Sequence, residues 1–235
     1  MNLLLISNST NAGEAYLKYP INEIAKTLNG IKEVVFIPYA AVTFSYDEYE
    51  RKVQERFNEI GIKVRSVHRA LKTRDFVCHA QVIVLGGGHI FALLMKMQEE
   101  DLLDVIFRRV RAGVPYVGWS AGSNVTCPTI CTTNDMPIVE PHSFRAIGLV
   151  PFQINPHYLD ANPAGHAGET REQRILEYLE ANRSRYVVGL REGCMIRIKD
   201  ENIELIGSRT MRIFKKGIET YEVQPGDDIS FLIKR

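Results

Sequence analysis

The stretch Val114-Pro115-Tyr116-Val117-Gly118-Trp119-Ser120-Ala121-Gly122 runs a short apolar segment into a G-x-S-x-G pentapeptide. The apolar segment reads as a buried strand. G-x-S-x-G at its end is the sequence form of a nucleophile elbow, a strained strand-to-helix turn that lifts a serine hydroxyl clear of the sheet. The flanking glycines are needed because a Cβ at either position would meet neighbouring backbone. The same letters also fit a plain Gly/Ser loop after a core strand, so partners elsewhere in the chain must decide between the two.

Outward from the elbow, the runs Leu3 to Ile6, Val34 to Ile37, Val82 to Leu85 and Tyr186 to Leu190 share the texture of Val114 to Trp119. Val, Ile and Leu without polar alternation fit strands buried on both faces, hence a parallel sheet covered by helices. Between them, Tyr46 to Ile60 and Leu93 to Val110 carry helix-period apolar residues, so the first two thirds read as a doubly wound α/β arrangement. Thr170 and Gln173 are placed as a capping box ahead of Ile175, Leu176 and Leu179. After that helix, Met195-Ile196-Arg197-Ile198, Ile203-Glu204-Leu205-Ile206 and Met211-Arg212-Ile213-Phe214 alternate between turns, the signature of antiparallel hairpins with one solvated face. The expected fold is α/β in three layers, a mostly parallel sheet flanked by helices with antiparallel C-terminal hairpins. With no repeat or linker, residues 1–235 read as one domain.

The chain has 235 residues, enough for one large domain with a real core. Lys+Arg of 29 against Asp+Glu of 28 leaves a net charge of +1, without a basic arm or an acidic tail. The electrostatic footprint of nucleic-acid or membrane-surface binding is missing. Met1-Asn2-Leu3-Leu4-Leu5-Ile6-Ser7 has no basic leader and too short an apolar run for a secretory segment, so it reads as a first core strand and the expected compartment is the cytoplasm. Ala112 to Asn134 carries no charge and is long enough to cross a bilayer, but Gly, Pro, Ser, Asn and Thr break it, which suits a buried catalytic centre better than lipid. The four cysteines do not form a disulfide framework in a chain of this size. Cys127-x-x-x-Cys131 could offer two zinc ligands, but no second pair with metal-site spacing follows. Neither a metal nor a cofactor is expected, and the expected assembly is a monomer or small homo-oligomer.

In open α/β sheets, ligands bind at the carboxyl ends of the strands. Ser120, the Gly86-Gly87-Gly88 loop after Val82 to Leu85, and Glu192 beyond Tyr186 to Leu190 all fall at expected strand ends. Attack on an amide carbonyl builds negative charge on its oxygen, so a serine hydrolase needs preorganised backbone donors. Gly88 or Gly87, together with Ala121, would supply them. The glycine loop lacks both the Lys-Ser/Thr of a P-loop and G-x-G-x-x-G spacing, which argues against nucleotide binding. Of six histidines, His157 is the leading base: it ends the extended segment Val150 to Ile154 and follows Asn155-Pro156. His89, beside the glycine loop, is its rival, while His68, His79, His142 and His166 sit in less telling contexts. An imidazole base also needs an acid to hold its tautomer. Asp135, the first charge after the long uncharged stretch, and Glu192 both qualify.

Four ordered blocks carry a family resemblance: Gly118-Trp119-Ser120-Ala121-Gly122, Thr132-Thr133-Asn134-Asp135-Met136-Pro137-Ile138-Val139, Gln153-Ile154-Asn155-Pro156-His157 and Gly168-Glu169-Thr170-Arg171-Glu172-Gln173-Arg174-Ile175. Together they resemble the peptidase E family of bacterial α-aspartyl dipeptidases, from the opening Leu-Leu-Ile-Ser-Asn-Ser-Thr through Glu192-Gly193. The resemblance implies a fold related to class I glutamine amidotransferases, with serine in place of the usual elbow cysteine. It also implies cleavage after the N-terminal aspartate of Asp-Xaa dipeptides, a small peptide being the expected partner. Carried over by position, Ser120 is the nucleophile, His157 the base, Glu192 the triad acid and Asp135 a further carboxylate tied to activity. One departure stands out, because the family usually has Asn after the three glycines and this chain has His89. Selectivity for an acidic first residue requires a cation, and Arg171 is the candidate: a cation at the first position of a helix opposes the macrodipole. A cyanophycinase-like or other exopeptidase on the same triad, or a catalytically idle amidotransferase-like binding module, are the alternative readings.

Overall fold

In the computed structural model, which describes residues 1–162, 164–165 and 167–234, strand β1 (Asn2–Ile6) faces two cores at once. Leu3 and Leu5 enter one apolar cluster and Leu4 and Ile6 another, all fully buried. Successive side chains of a strand project to opposite faces, so an unbroken apolar run needs cover on both. Helices α1 (Ile21–Thr27) and α2 (Tyr46–Asn58) cover one face. Helices α3 (Thr73–Cys78), α4 (Ile90–Glu99) and α5 (Leu102–Arg111) cover the other. The periodic stretch Leu93 to Val110 is thus two helices, parted at Asp101, whose φ of 52° takes the chain out of the helical region.

Strands β2 (Glu33–Ile37), β3 (Lys63–Ser66), β4 (Ile83–Leu85) and β5 (Tyr116–Trp119) join β1 in the order β3-β2-β4-β5-β1, all parallel. Beyond β1 the sheet continues as an antiparallel hairpin, β8 (Met195–Lys199) and β9 (Asn202–Ile206), for seven strands in all. A short helix, α6 (Ala121–Asn124), leaves the end of β5.

A second sheet of four strands has the order β11-β10-β7-β6. It comprises β6 (Gln153–Pro156), β7 (Tyr186–Leu190), β10 (Met211–Lys215) and β11 (Ile218–Val223), with only the β6/β7 pair parallel. The run Tyr186 to Leu190 therefore lies here and not in the main sheet, where β8 occupies the place beside β1. Its unbroken apolar character has the same cause as in β1. Val187 packs with Ile175 and Leu179 of α7 (Arg171–Ala181), while Val188 and Leu190 belong to the large core. Helix α7 begins at the expected capping box: Gln173 N–H donates to Thr170 Oγ1 at 3.2 Å, and Thr170 N–H donates to Gln173 Oε1 at 2.7 Å. Among the described residues no helix is long and apolar enough to cross a membrane.

Candidate active site

Ser120 sits between β5 and α6 at φ 53°, ψ −114°, a conformation that L side chains rarely adopt and that costs of order 1–3 kcal/mol. The neighbouring glycines make the turn possible. A Cβ on Gly118 would lie 2.3 Å from the carbonyl oxygen of Gly122, and one on Gly122 would lie 2.3 Å from that of Leu85. Hydrogen bonds then lock the turn to its surroundings. Ser120 N–H donates to Ile6 O at 2.9 Å, Tyr116 Oη donates to Gly122 O at 2.6 Å, and Ser123 Oγ lies 2.8 Å from both Ile6 O and Gly118 O. The strain of this turn falls on Ser120, which lines the cleft.

His157 comes from the second sheet, directly after β6, and also has a left-handed backbone with φ 52°. Its N–H donates to Ser7 Oγ at 3.0 Å, and Ser7 Oγ donates to Leu190 O at 2.7 Å, so the residue after β1 clips β6 and β7 to the main sheet. Held in this way, Nε2 lies 2.8 Å from Ser120 Oγ and Nδ1 lies 2.7 Å from Glu192 Oε1. A carboxylate on Nδ1 fixes the tautomer that leaves Nε2 free to accept from the serine hydroxyl. Glu192 is aimed by its own neighbours: Gly193 N–H donates to Asn8 Oδ1 at 2.9 Å, and the buried Arg191 binds the carboxylates of Asp160 and Glu222 and the Thr210 hydroxyl. These hydrogen bonds push the Arg191 pKa up and hold both carboxyls below their usual range.

The glycine loop lies against the elbow. A Cβ on Gly87 would come 2.8 Å from that of Ser120, and Gly88, at φ 132°, approaches Ala40 O so closely that a Cβ would lie 2.3 Å from it. Tyr49 Oη donates to Gly87 O at 2.7 Å and accepts from Trp119 Nε1 at 3.2 Å. Burial pushes the Tyr49 phenol up to about 12, so it stays a neutral donor. The N–H groups of Gly88 and Ala121 have no acceptor among the described residues, and both residues line the cleft beside Ser120. His89 does not hydrogen-bond the serine. Its Nε2 lies 2.9 Å from Met136 O, which ties the glycine loop to the segment carrying Asp135, and its Nδ1 is buried without a partner.

Asp135 does not reach His157. Its Oδ2 accepts the N–H of Ile90 at 2.7 Å, capping the first turn of α4. Arg171 lines the same cleft, half-buried and without an ion pair or hydrogen bond among the described residues. Burial lowers its pKa and the charge of Asp135 opposes that shift, yet a guanidinium remains charged at neutral pH. The cleft, of about 510 Å³, thus gathers Ser120, His157, Gly88, Ala121, Asp135 and Arg171. Glu192 stands behind the imidazole.

The remaining histidines are engaged elsewhere. His68 bonds Ser66 and Asp47, His79 bonds Asp75 O, His142 is exposed, and His166 lies outside the described residues. Cys127 is buried and accepts the Ile154 N–H, while Cys131 is exposed. Sequence reasoning missed Tyr16, Phe44, Tyr49, Lys52 and Asn124, all of which line the cleft. Tyr49 occupies a core-facing position of α2 that is indistinguishable in sequence from an ordinary packing residue.

Comparison with known proteins shows the family. The profile of peptidase family S51 matches residues 3–206. The chain is 50% identical over 234 residues to peptidase E of a Nostoc species, covering 99% of this chain and 97% of the relative. It is 46% identical over 226 residues to peptidase E of Salmonella arizonae, covering 96% and 99%. Among solved structures, a protein of Listeria monocytogenes described as a peptidase E superposes with a TM-score of 0.67 at 22% identity, covering 88% of this chain and 98% of the other. A peptidase from an acI-B1 Actinobacterium gives 0.70 at 19% identity, covering 98% and 96%; these two speak to the fold. With nearly the whole chain matched, this protein belongs to peptidase family S51 and is a peptidase.

Proposed function

We propose that the protein is a serine dipeptidase that releases the N-terminal aspartate of Asp-Xaa through an acyl-enzyme on Ser120. The observation that carries this reading is the unbroken line from Ser120 Oγ through His157 to Glu192, with separations of 2.8 and 2.7 Å. Ser120 Oγ attacks the peptide carbonyl carbon as its proton passes to His157 Nε2, and Glu192 stabilises the imidazolium. The carbonyl oxygen, now negative, faces the free N–H groups of Gly88 and Ala121. The imidazolium returns its proton to the amide nitrogen, the C–N bond breaks and the second residue leaves as a free amine. Water, deprotonated by the same imidazole, then cleaves the ester and regenerates the hydroxyl.

Selectivity for aspartate rests on Arg171. An uncompensated, half-buried guanidinium in the cleft is matched by a side-chain carboxylate, which it can grip in two parallel hydrogen bonds. The reading is tested by a panel of Asp-Leu, Glu-Leu, Asn-Leu, Ala-Leu and isoaspartyl-Leu. Fast release of leucine from Asp-Leu alone is the expected outcome, and comparable rates on Ala-Leu would refute the assigned specificity.

A further inference from the structure

Gly87 C=O and Gly88 N–H belong to one planar peptide unit, so a partner that holds the oxygen also aims the donor. Turning that unit over changes only ψ of Gly87 and φ of Gly88. Both residues are glycines, which enter either conformation at little steric cost, so the backbone alone does not choose which end faces the cleft. The units before and after it are fixed by backbone bonds: Gly86 N–H donates to Ile37 O at 3.3 Å and His89 N–H to Ala40 O at 2.8 Å. The unit between Gly87 and Gly88 has a single hydrogen bond among the described residues, from Tyr49 Oη to Gly87 O at 2.7 Å.

The phenol is prepared for this bond. Trp119 Nε1–H, which can only donate, reaches Tyr49 Oη at 3.2 Å and so leaves the hydroxyl proton to Gly87 O. Edge-to-face packing on Phe36 and Phe44, with ring centroids 5.0 and 5.3 Å away, fixes the ring. A Cβ on Gly86 would run into Tyr49 Oη, so that glycine makes room for it. We infer that Tyr49 is a positioning residue: through Gly87 O it keeps the Gly88 N–H turned toward the carbonyl oxygen of the peptide that Ser120 attacks. Hydrogen bonding at the carbonyl end also polarises the unit and strengthens its N–H as a donor. Trp119, next to the nucleophile, and Gly87, next to the donor, are thereby joined through one oxygen atom. This inference rests on the acyl-enzyme reading above and is independent of which dipeptide is preferred.

The test is Tyr49→Phe, which removes the hydroxyl and keeps the ring, with thermal unfolding to check that the fold is retained. Without the bond the peptide is free to turn, and kcat on Asp-Leu should fall about tenfold with KM within about twofold. A double-mutant cycle separates aiming of the donor from general weakening. Gly88→Ala already displaces the N–H, so adding Tyr49→Phe to it should cost less than about threefold, and full additivity overturns the inference. Ligands give a readout without turnover. The boronic acid analogue of aspartate, which forms a tetrahedral adduct on Ser120, should bind Tyr49→Phe about tenfold more weakly while L-aspartate binds both proteins alike. Equal weakening of the two ligands marks a merely structural role and overturns the inference. A crystal structure of the wild-type adduct needs no variant: a boron-bound oxygen on Gly88 N, with Tyr49 Oη still on Gly87 O, is expected, and Gly87 O turned toward the boronate overturns the assignment. If Ala-Leu is cleaved and Asp-Leu is not, the Asp-Xaa reading alone fails and the same comparisons run on Ala-Leu and the alanine boronate. Activity retained by Ser120→Ala would sink the acyl-enzyme reading and this inference with it.

Discussion

Glu192 braces His157 on the ring edge opposite Ser120, with Oε1 2.7 Å from Nδ1. In serine triads the carboxylate orients the imidazole and stabilises its cation, and its loss lowers kcat by about four orders of magnitude. Glu192→Ala is expected to cost about three to four orders of magnitude in kcat on Asp-Leu with little change in KM. A nearly silent Glu192→Ala would remove this residue as the supporting acid.

Ser120→Ala should abolish hydrolysis of Asp-Leu while leaving the fold intact. It keeps the backbone strain, because alanine is no better suited than serine to φ 53°, ψ −114°. Ser120→Gly relieves that strain at some cost in unfolded-chain entropy. It should therefore be the more stable of the two inactive variants, by about 1 kcal/mol in urea unfolding.

Gly88→Ala would place a Cβ 2.3 Å from Ala40 O at a φ of 132°, so the loop must move. The N–H proposed to meet the oxyanion moves with it. The expected loss in kcat is about 10²- to 10³-fold, the cost of one oxyanion donor. A substrate-independent loss of kcat is the signature to measure.

Arg171→Met should lower kcat/KM for Asp-Leu by about 100-fold and leave that for Ala-Leu within about threefold, since only the former presents a carboxylate to the lost charge. Equal losses on both would take Arg171 out of the specificity pocket.

Arg191, between the end of β7 and Glu192, binds Asp160 and Glu222, and its hydrogen bonds depress the pKa of both carboxyls. Depressed folded-state values mean that the stabilisation is present at neutral pH. It is lost as pH falls from the ordinary carboxylate range, about 4, through the lower folded values. Arg191→Met should flatten that acid limb of the stability curve, measured by urea unfolding between pH 7 and 3. It should also lower kcat through misplacement of Glu192.

The sequence disclosed what local chemistry determines. The capping box at Thr170 and Gln173 and the glycines around Ser120 act within a few residues of themselves, and both were legible. The apolar run Leu3 to Ile6 announced cover on both faces, but Tyr186 to Leu190 looks the same although it lies in a different sheet. Strand β3 escaped notice because an edge strand of four residues, alternating Lys63, Val64, Arg65 and Ser66, carries too little pattern. Asp135 and Glu192 stood as equal candidates for the acid because nothing local to either says which one reaches the imidazole. The choice is made by the Ile90 amide on one side and by the Ser7 and Asn8 clips on the other, all of them distant in sequence.

The proposed base and its carboxylate leave neighbouring parallel strands, β6 and β7, in a register that sets Pro156 opposite Leu190, while Ser120 leaves a different sheet. His157 and Glu192 consequently come as a pair from one sheet, which Ser7 and Asn8 dock against the sheet that carries residue 120. A different small nucleophile at that position would find the same imidazole already aimed. The proposed nucleophile and the pair proposed to activate it thus come from different sheets, joined through Ser7 and Asn8.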